Sequence, residues 1–263
     1  MKRNFALLCF LLCLQPLFAQ IIKKPLPGKL VVLTFDDAII SHYTNAAPLL
    51  EKYHFGATFF IAEFNDPSFS DKTKYLSWEQ IGKLNHMGFE IANHTRNHIH
   101  VNKMDSTRFV SELIYIEDKA KQYGVKKDMI SFAYPGYTTH PSAVQVLRKK
   151  GYLFARTGGD RVYDPLKDHP YYIPSFSTKA DNREQIYAAF QRAEKGKIVV
   201  LTIHGVPDEA HAWVNTPFSL FQEYMNYLHE NNFKVIALRD LQQYIDAREA
   251  MTLLSYKTTN AEP

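Results

Sequence analysis

Seven short β-rich runs, each followed by a helical pattern, constrain this chain more tightly than any other feature. Leu30 to Phe35 and Ile198 to Ile203 are apolar almost throughout, as buried strands are. Ala57 to Ile61, Phe89 to Ala92, Met129 to Ala133, Leu153 to Ala155 and Val235 to Ala237 complete the set. Between them lie helical patterns at about Tyr43 to Tyr53, Trp78 to Met87, Ser106 to Tyr123, from Pro141, at Arg183 to Ala193 and from Pro217 to Glu230, with a last helix ending near Arg248. Ser77 with Gln80 is a capping box, and Pro141 suits a first helical turn. Strands alternating with helices predict a parallel α/β sheet, and with no linker or repeat the economical arrangement is one barrel-like domain, core about 29–248. Residues 157 to 180 read as an irregular loop, and those after Ser255 as a frayed tail.

The N-terminus reads as an export signal over residues 1–19: basic Lys2 and Arg3, apolar Phe5 to Leu14, and a cleavage site at Leu17-Phe18-Ala19. The apolar stretch is too short to span a bilayer, and no later segment approaches the roughly 20 residues that spanning needs. Residues 20–263 would then form an exported, periplasmic or extracellular domain. Both cysteines, Cys9 and Cys13, fall within the signal, so no disulfide or cysteine ligand is expected beyond it. Cleavage would lower the formal charge from +4 to +2, because Lys2 and Arg3 go and no acid does. Near-neutrality with dispersed cations argues against a nucleic-acid partner.

Three segments carry chemistry. Thr34-Phe35-Asp36-Asp37 puts two carboxylates at the end of a buried strand, on the face where α/β barrels gather active sites. His94-Thr95-Arg96-Asn97-His98 spaces two imidazoles so that one helical turn would align them to share a metal. Leu201-Thr202-Ile203-His204 ends another buried run on histidine. Thr95 stands where a zinc-protease helix needs glutamate, which excludes that class. Two imidazoles and one carboxylate leave open positions on a divalent ion, as a catalytic site requires.

These segments, with Phe132-Ala133-Tyr134-Pro135, stand in the order and rough spacing of the polysaccharide deacetylases, carbohydrate esterase family 4, which the chain resembles from about Val31 to Ile236. The resemblance implies a distorted (β/α) barrel, a divalent metal, commonly zinc, and hydrolysis of acetyl groups on a glycan. By that resemblance Asp36 is the general base, Asp37, His94 and His98 are metal ligands, and His204 is the general acid. The N–H of Gly136, just after Pro135, would receive the oxyanion.

The chain departs from the family pattern at Ala38, where glycine is usual, and at Ala133, where an arginine often pairs with the base. Arg156 is the expected replacement cation, and Asp160 the expected carboxylate beside His204. Tyr137 and Trp213 are expected either to stack on sugar faces or simply to pack. His100 competes with His98 as a ligand, while His42 and His211 have no role legible here. A non-catalytic glycan-binding protein and a hydrolase of another C–N bond are the competing readings. The first has no use for five such residues together, and the export signal disfavours a cytosolic substrate for the second.

Overall fold

The computed structural model describes residues 21–64, 67–209 and 211–255. The proposed signal and the tail from 256 lie outside the described residues. The strands are β1 Leu30–Phe35, β2 Thr58–Ile61, β3 Glu90–Asn93, β4 Ser131–Ala133, β5 Phe154–Arg156, β6 Phe176–Ser177, β7 Ile198–Ile203 and β8 Lys234–Ile236. The α-helices are α1 Ala47–Lys52, α2 Trp78–His86, α3 Ser106–Gln122, α4 Pro141–Lys150, α5 Arg183–Gln191, α6 Phe218–Glu230 and α7 Ala247–Leu253. The sheet runs β5-β4-β3-β2-β1-β7-β6, with β8 also on β1, and every pairing is parallel. All seven sequence-derived strands are present. The chain is a single α/β domain in which the sheet curls into a distorted barrel.

Two details differ from expectation. The 157–180 segment contains β6, and residues beside it bring the sheet towards closure: Ile173 bridges to Arg156 of β5, while Phe176 and Ser177 pair with Leu201 and Thr202 of β7. At the other end the last helix, α7, begins at Ala247 and ends at Leu253 rather than near Arg248, because a 3-10 helix at Leu238–Gln243 intervenes. That turn plugs the base of the barrel. Its Leu238 and Arg239 N–H groups donate to Thr58 Oγ1 and to Glu90 Oε2, at 2.8 Å each. The buried Glu90 carboxyl, pushed upward by burial, also accepts from Thr58 Oγ1 at 2.6 Å.

Strand phase decides what reaches the mouth. Val31, Leu33 and Phe35 face the helices with Phe59, Ile91 and Val199, whereas Leu30, Val32, Phe60, Ala92, Ala133, Phe154, Ile198 and Val200 share the barrel interior. Side chains alternate along a strand. Continuing the inward phase therefore gives Leu30-Val32-Thr34-Asp36 on β1, Ala92-His94 on β3, Phe154-Arg156 on β5 and Val200-Thr202-His204 on β7. Both faces of the sheet are buried, so truncating Leu33 to alanine is expected to cost about 2–5 kcal/mol.

Candidate metal centre and active site

Asp37, His94 and His98 form one cluster whose ligand atoms all lie within 4.8 Å of one another. Asp37 Oδ1 is 3.6 Å from His94 Nε2 and 3.4 Å from His98 Nε2. The two rings meet edge to face, with centroids 4.7 Å apart. No helix aligns the histidines. Residues 94–98 are irregular, with Thr95 at φ 64 and His98 at φ 52, and this contorted turn folds the second imidazole back beside the first. Asp37 is not extended either, since its φ is 73 and that of Ala38 is 51. The double left-handed step returns the Asp37 carboxylate to the side of Asp36. Position 38 is therefore one at which glycine fits without strain, and Ala38 bears a cost of about 1 kcal/mol.

The cluster suits a divalent cation on three counts. His94 Nδ1 is bonded to the Ala133 carbonyl at 2.8 Å, which fixes the tautomer and leaves Nε2 as the ligand atom. Burial holds His94 down to about 3 and lowers His98 as well, so both imidazoles are neutral, as metal ligands must be. Asp37 Oδ1 is buried without a hydrogen-bond partner among the described residues, and burial pushes its carboxyl up to about 6. Such a carboxylate is stabilised most by a cation on the bare oxygen. His100 is no member of this set: it bonds Thr138 Oγ1 through Nδ1 at 3.2 Å and lies against Gly136.

Asp36 stands beside the cluster with Oδ2 3.7 Å from His94 Nε2. Arg156 Nη2 donates to both of its oxygens, at 2.7 and 2.5 Å. Burial pushes the Asp36 carboxyl up, but the charge and the hydrogen bonds of Arg156, with the imidazoles beside it, outweigh burial and hold the group at about 2. Asp36 is thus ionised and oriented. His204 reaches the same mouth from β7, with Nε2 3.8 Å from Asp37 Oδ2. Its backbone carbonyl is held by His42 Nε2 at 2.8 Å, and the His42 ring packs against Phe35 and Phe59. Burial keeps His42 neutral by lowering it to about 4.

Gly136 occupies a positive-φ turn at φ 57, where a Cβ would collide with the His100 ring. Only glycine fits there. Asp160 does not approach His204: it is exposed, anchored by its N–H to the Ser175 carbonyl at 3.1 Å, and Asp37 is the carboxylate that faces the histidine. Asp160 itself has left-handed backbone, at φ 48. Tyr137 is half-buried beside the site. Its ring lies 5.4 Å from the Arg156 guanidinium and tight against Gly158, and its hydroxyl is buried. Trp213, by contrast, is 71% exposed in the loop after His204. Sequence reasoning missed the anchoring by His42, because nothing local marks a histidine in a π-turn as a bond to a carbonyl 162 residues away.

The sequence profile described as polysaccharide deacetylase matches residues 23–155. The poly-β-1,6-N-acetyl-D-glucosamine N-deacetylase of Staphylococcus aureus (strain MRSA252) is 26% identical over 173 residues, covering 62% of this chain and 59% of that protein. The chain thus spans about three-fifths of the length of the curated relatives it matches. Among solved structures, Bacillus subtilis PdaA, a family 4 carbohydrate esterase, superposes with a TM-score of 0.57 at 16% identity, covering 82% of this chain and 81% of that one. A family 4 pseudoenzyme from Bacillus anthracis matches with a TM-score of 0.56 at 14% identity, covering 81% and 65%. At such identities the structures establish shared fold alone, and activity must be argued from side chains.

Proposed function

Since the chain belongs to the polysaccharide deacetylase family, we propose that it is an exported, metal-dependent hydrolase that removes N-acetyl groups from a glycan, with zinc as its ion. The observation that carries this reading is the meeting of Asp37 Oδ1 with two neutral imidazoles in the mouth that also holds Asp36 and His204. A protein that only bound glycan would have no use for that set.

Asp37, His94 and His98 are the residues that would hold the ion. When bound, such an ion supplies Lewis acidity, polarising a carbonyl and acidifying water. Asp36, kept ionised and aimed by Arg156, accepts the proton of the attacking water. The Gly136 N–H donates to the developing oxyanion. His204 in its protonated form gives a proton to the departing nitrogen, so that an amine leaves rather than its anion. Acetate and a free amino sugar are the products.

The name of the Staphylococcus aureus relative supports a β-linked N-acetylglucosamine polymer as the substrate class. The first 19 residues support export. The test is acetate release from a panel of acetylated glycans by wild type, Asp36→Asn and chelator-treated protein. Wild type should release acetate, both treatments should abolish it, and added zinc should restore the chelated sample. Binding of glycan without acetate release in the presence of metal would overturn the proposal.

A further inference from the structure

The turn that carries His98 has no helix to shape it, yet it holds left-handed backbone at Thr95 and at His98 itself. A β-branched threonine rarely adopts that conformation, so the surroundings must impose it. His94 needs little help, because its ring is bonded to the Ala133 carbonyl. His98 has no ring bond of that kind among the described residues. It packs on Phe64, centroids 5.2 Å apart, and its position follows the backbone of the turn.

Helix α3 grips that backbone. Glu112, 6% exposed, directs both carboxylate oxygens at Asn97: Oε2 accepts the backbone N–H at 2.7 Å and Oε1 accepts from Nδ2 at 2.6 Å. A buried carboxylate is a costly way to fill a helix face, and here both of its oxygens go to one residue. One position further along α3, the Leu113 carbonyl accepts from Asn93 Nδ2 at 2.9 Å, while Asn93 Oδ1 accepts the Thr95 N–H at 3.0 Å. The turn is thus tied to two consecutive residues of α3, just before His94 through Asn93 and between the histidines through Asn97. Both Asn97 groups are donors, so their partner must accept twice. A carboxylate does so, whereas glutamine of the same shape would set an NH₂ group against one of them.

We propose that Glu112 is a positioning residue for the metal centre: by holding Asn97 it keeps the left-handed step at His98, and with it the 3.4 Å approach of His98 Nε2 to Asp37 Oδ1. This rests on the metal reading above and assigns a role to a carboxylate that is itself no ligand.

Zinc affinity of the full chain, measured by competition with a chromogenic chelator, tests this apart from turnover. Glu112→Gln, which keeps the shape and one of the two bonds, should raise the zinc Kd about tenfold, as loss of outer-shell support does. Asn97→Ala, a change at a half-buried position, should raise it about three- to tenfold. In a His98→Ala background Glu112→Gln should add less than about twofold, because the ligand it positions is gone. Asn97→Asp sets two carboxylates against each other and should bind zinc more weakly than Glu112→Gln. Adding Glu112→Gln to it lets the glutamine donate to the new carboxylate, and should recover at least about threefold. Leu228→Ala, a core truncation in α6, should lower Tm and leave the zinc Kd within about twofold. An unchanged Kd in Glu112→Gln and Asn97→Ala, an equal effect of Glu112→Gln with and without His98, or an equal loss in Leu228→Ala would overturn the assignment. Any of these alongside zinc uptake by wild type rejects the positioning role alone. No uptake by wild type rejects the metal centre, and this role with it.

Discussion

Ala133 and Arg156 are register partners on the neighbouring parallel strands β4 and β5, so the two side chains enter the barrel interior side by side. The guanidinium that family members often carry at the first position stands in this chain at the second, and from there it still reaches the Asp36 carboxylate. Moving a charge across one strand spacing preserves its target because the guanidinium arm is longer than the roughly 4.8 Å between strands.

Arg156→Met should leave Asp36 buried without its principal cation, costing about 3–5 kcal/mol of stability. Asp36 lies below its ordinary 3.8, so the pair's stabilisation is complete above about pH 3.8 and is lost as pH falls through about 2. With Arg156 gone, burial dominates and the Asp36 carboxyl rises. The acidic limb of the pH–rate profile should move upward, and kcat/KM should fall about 100-fold. Ala133→Arg in the same background should restore part of both. A profile that does not move in Arg156→Met would remove Arg156 from the reaction.

Metal binding should follow the three-residue cluster and ignore His100. Wild type stripped by chelator should take up one zinc per chain, whereas Asp37→Ala and His98→Ala should bind at least about 100-fold more weakly. His100→Ala should bind like wild type. At zinc about 100-fold over its Kd the fold should gain about 2.7 kcal/mol, visible as a rise in Tm that the Asp37 variant lacks. Equal uptake by Asp37→Ala would disprove the assignment.

His204→Asn should separate leaving groups. A departing amine needs a proton and an activated phenol does not, so N-acetyl hydrolysis should drop about 100- to 10,000-fold while an aryl acetate loses much less. Equal losses on both substrates, measured side by side, would show that His204 acts in something other than leaving-group protonation.

Gly136→Ala places a methyl group on the His100 ring at a left-handed φ. Stability should fall by at least about 1 kcal/mol, and kcat by about 100-fold as the donor shifts. His100→Ala should relieve the collision but not the backbone cost, so the double variant should recover only part of the stability in a denaturant titration.

Much of this architecture is legible in the chain because the strands that matter, β1 and β7, are continuous apolar runs with the functional residue directly after them. The Ser77–Gln80 box and Pro141 open α2 and α4 where local chemistry says they should. What escaped is non-local. β6 is two residues long, has no periodicity of its own, and exists because Leu201 and Thr202 offer an edge to pair with. The histidine pair has a metal spacing but no helix, since Thr95 and His98 adopt left-handed backbone that side-chain type does not announce. Asp160 failed for the same reason.

The short stretch that bridges to Arg156 through Ile173 and pairs with β7 through Phe176 and Ser177 has a protective effect distinct from catalysis. An open parallel sheet ends in two rows of bare amides and carbonyls that invite strands from other chains. By occupying β5 on one flank and β7 on the other, this splice denies both to self-association, and variants that loosen it should precipitate at high concentration before their melting temperature falls appreciably.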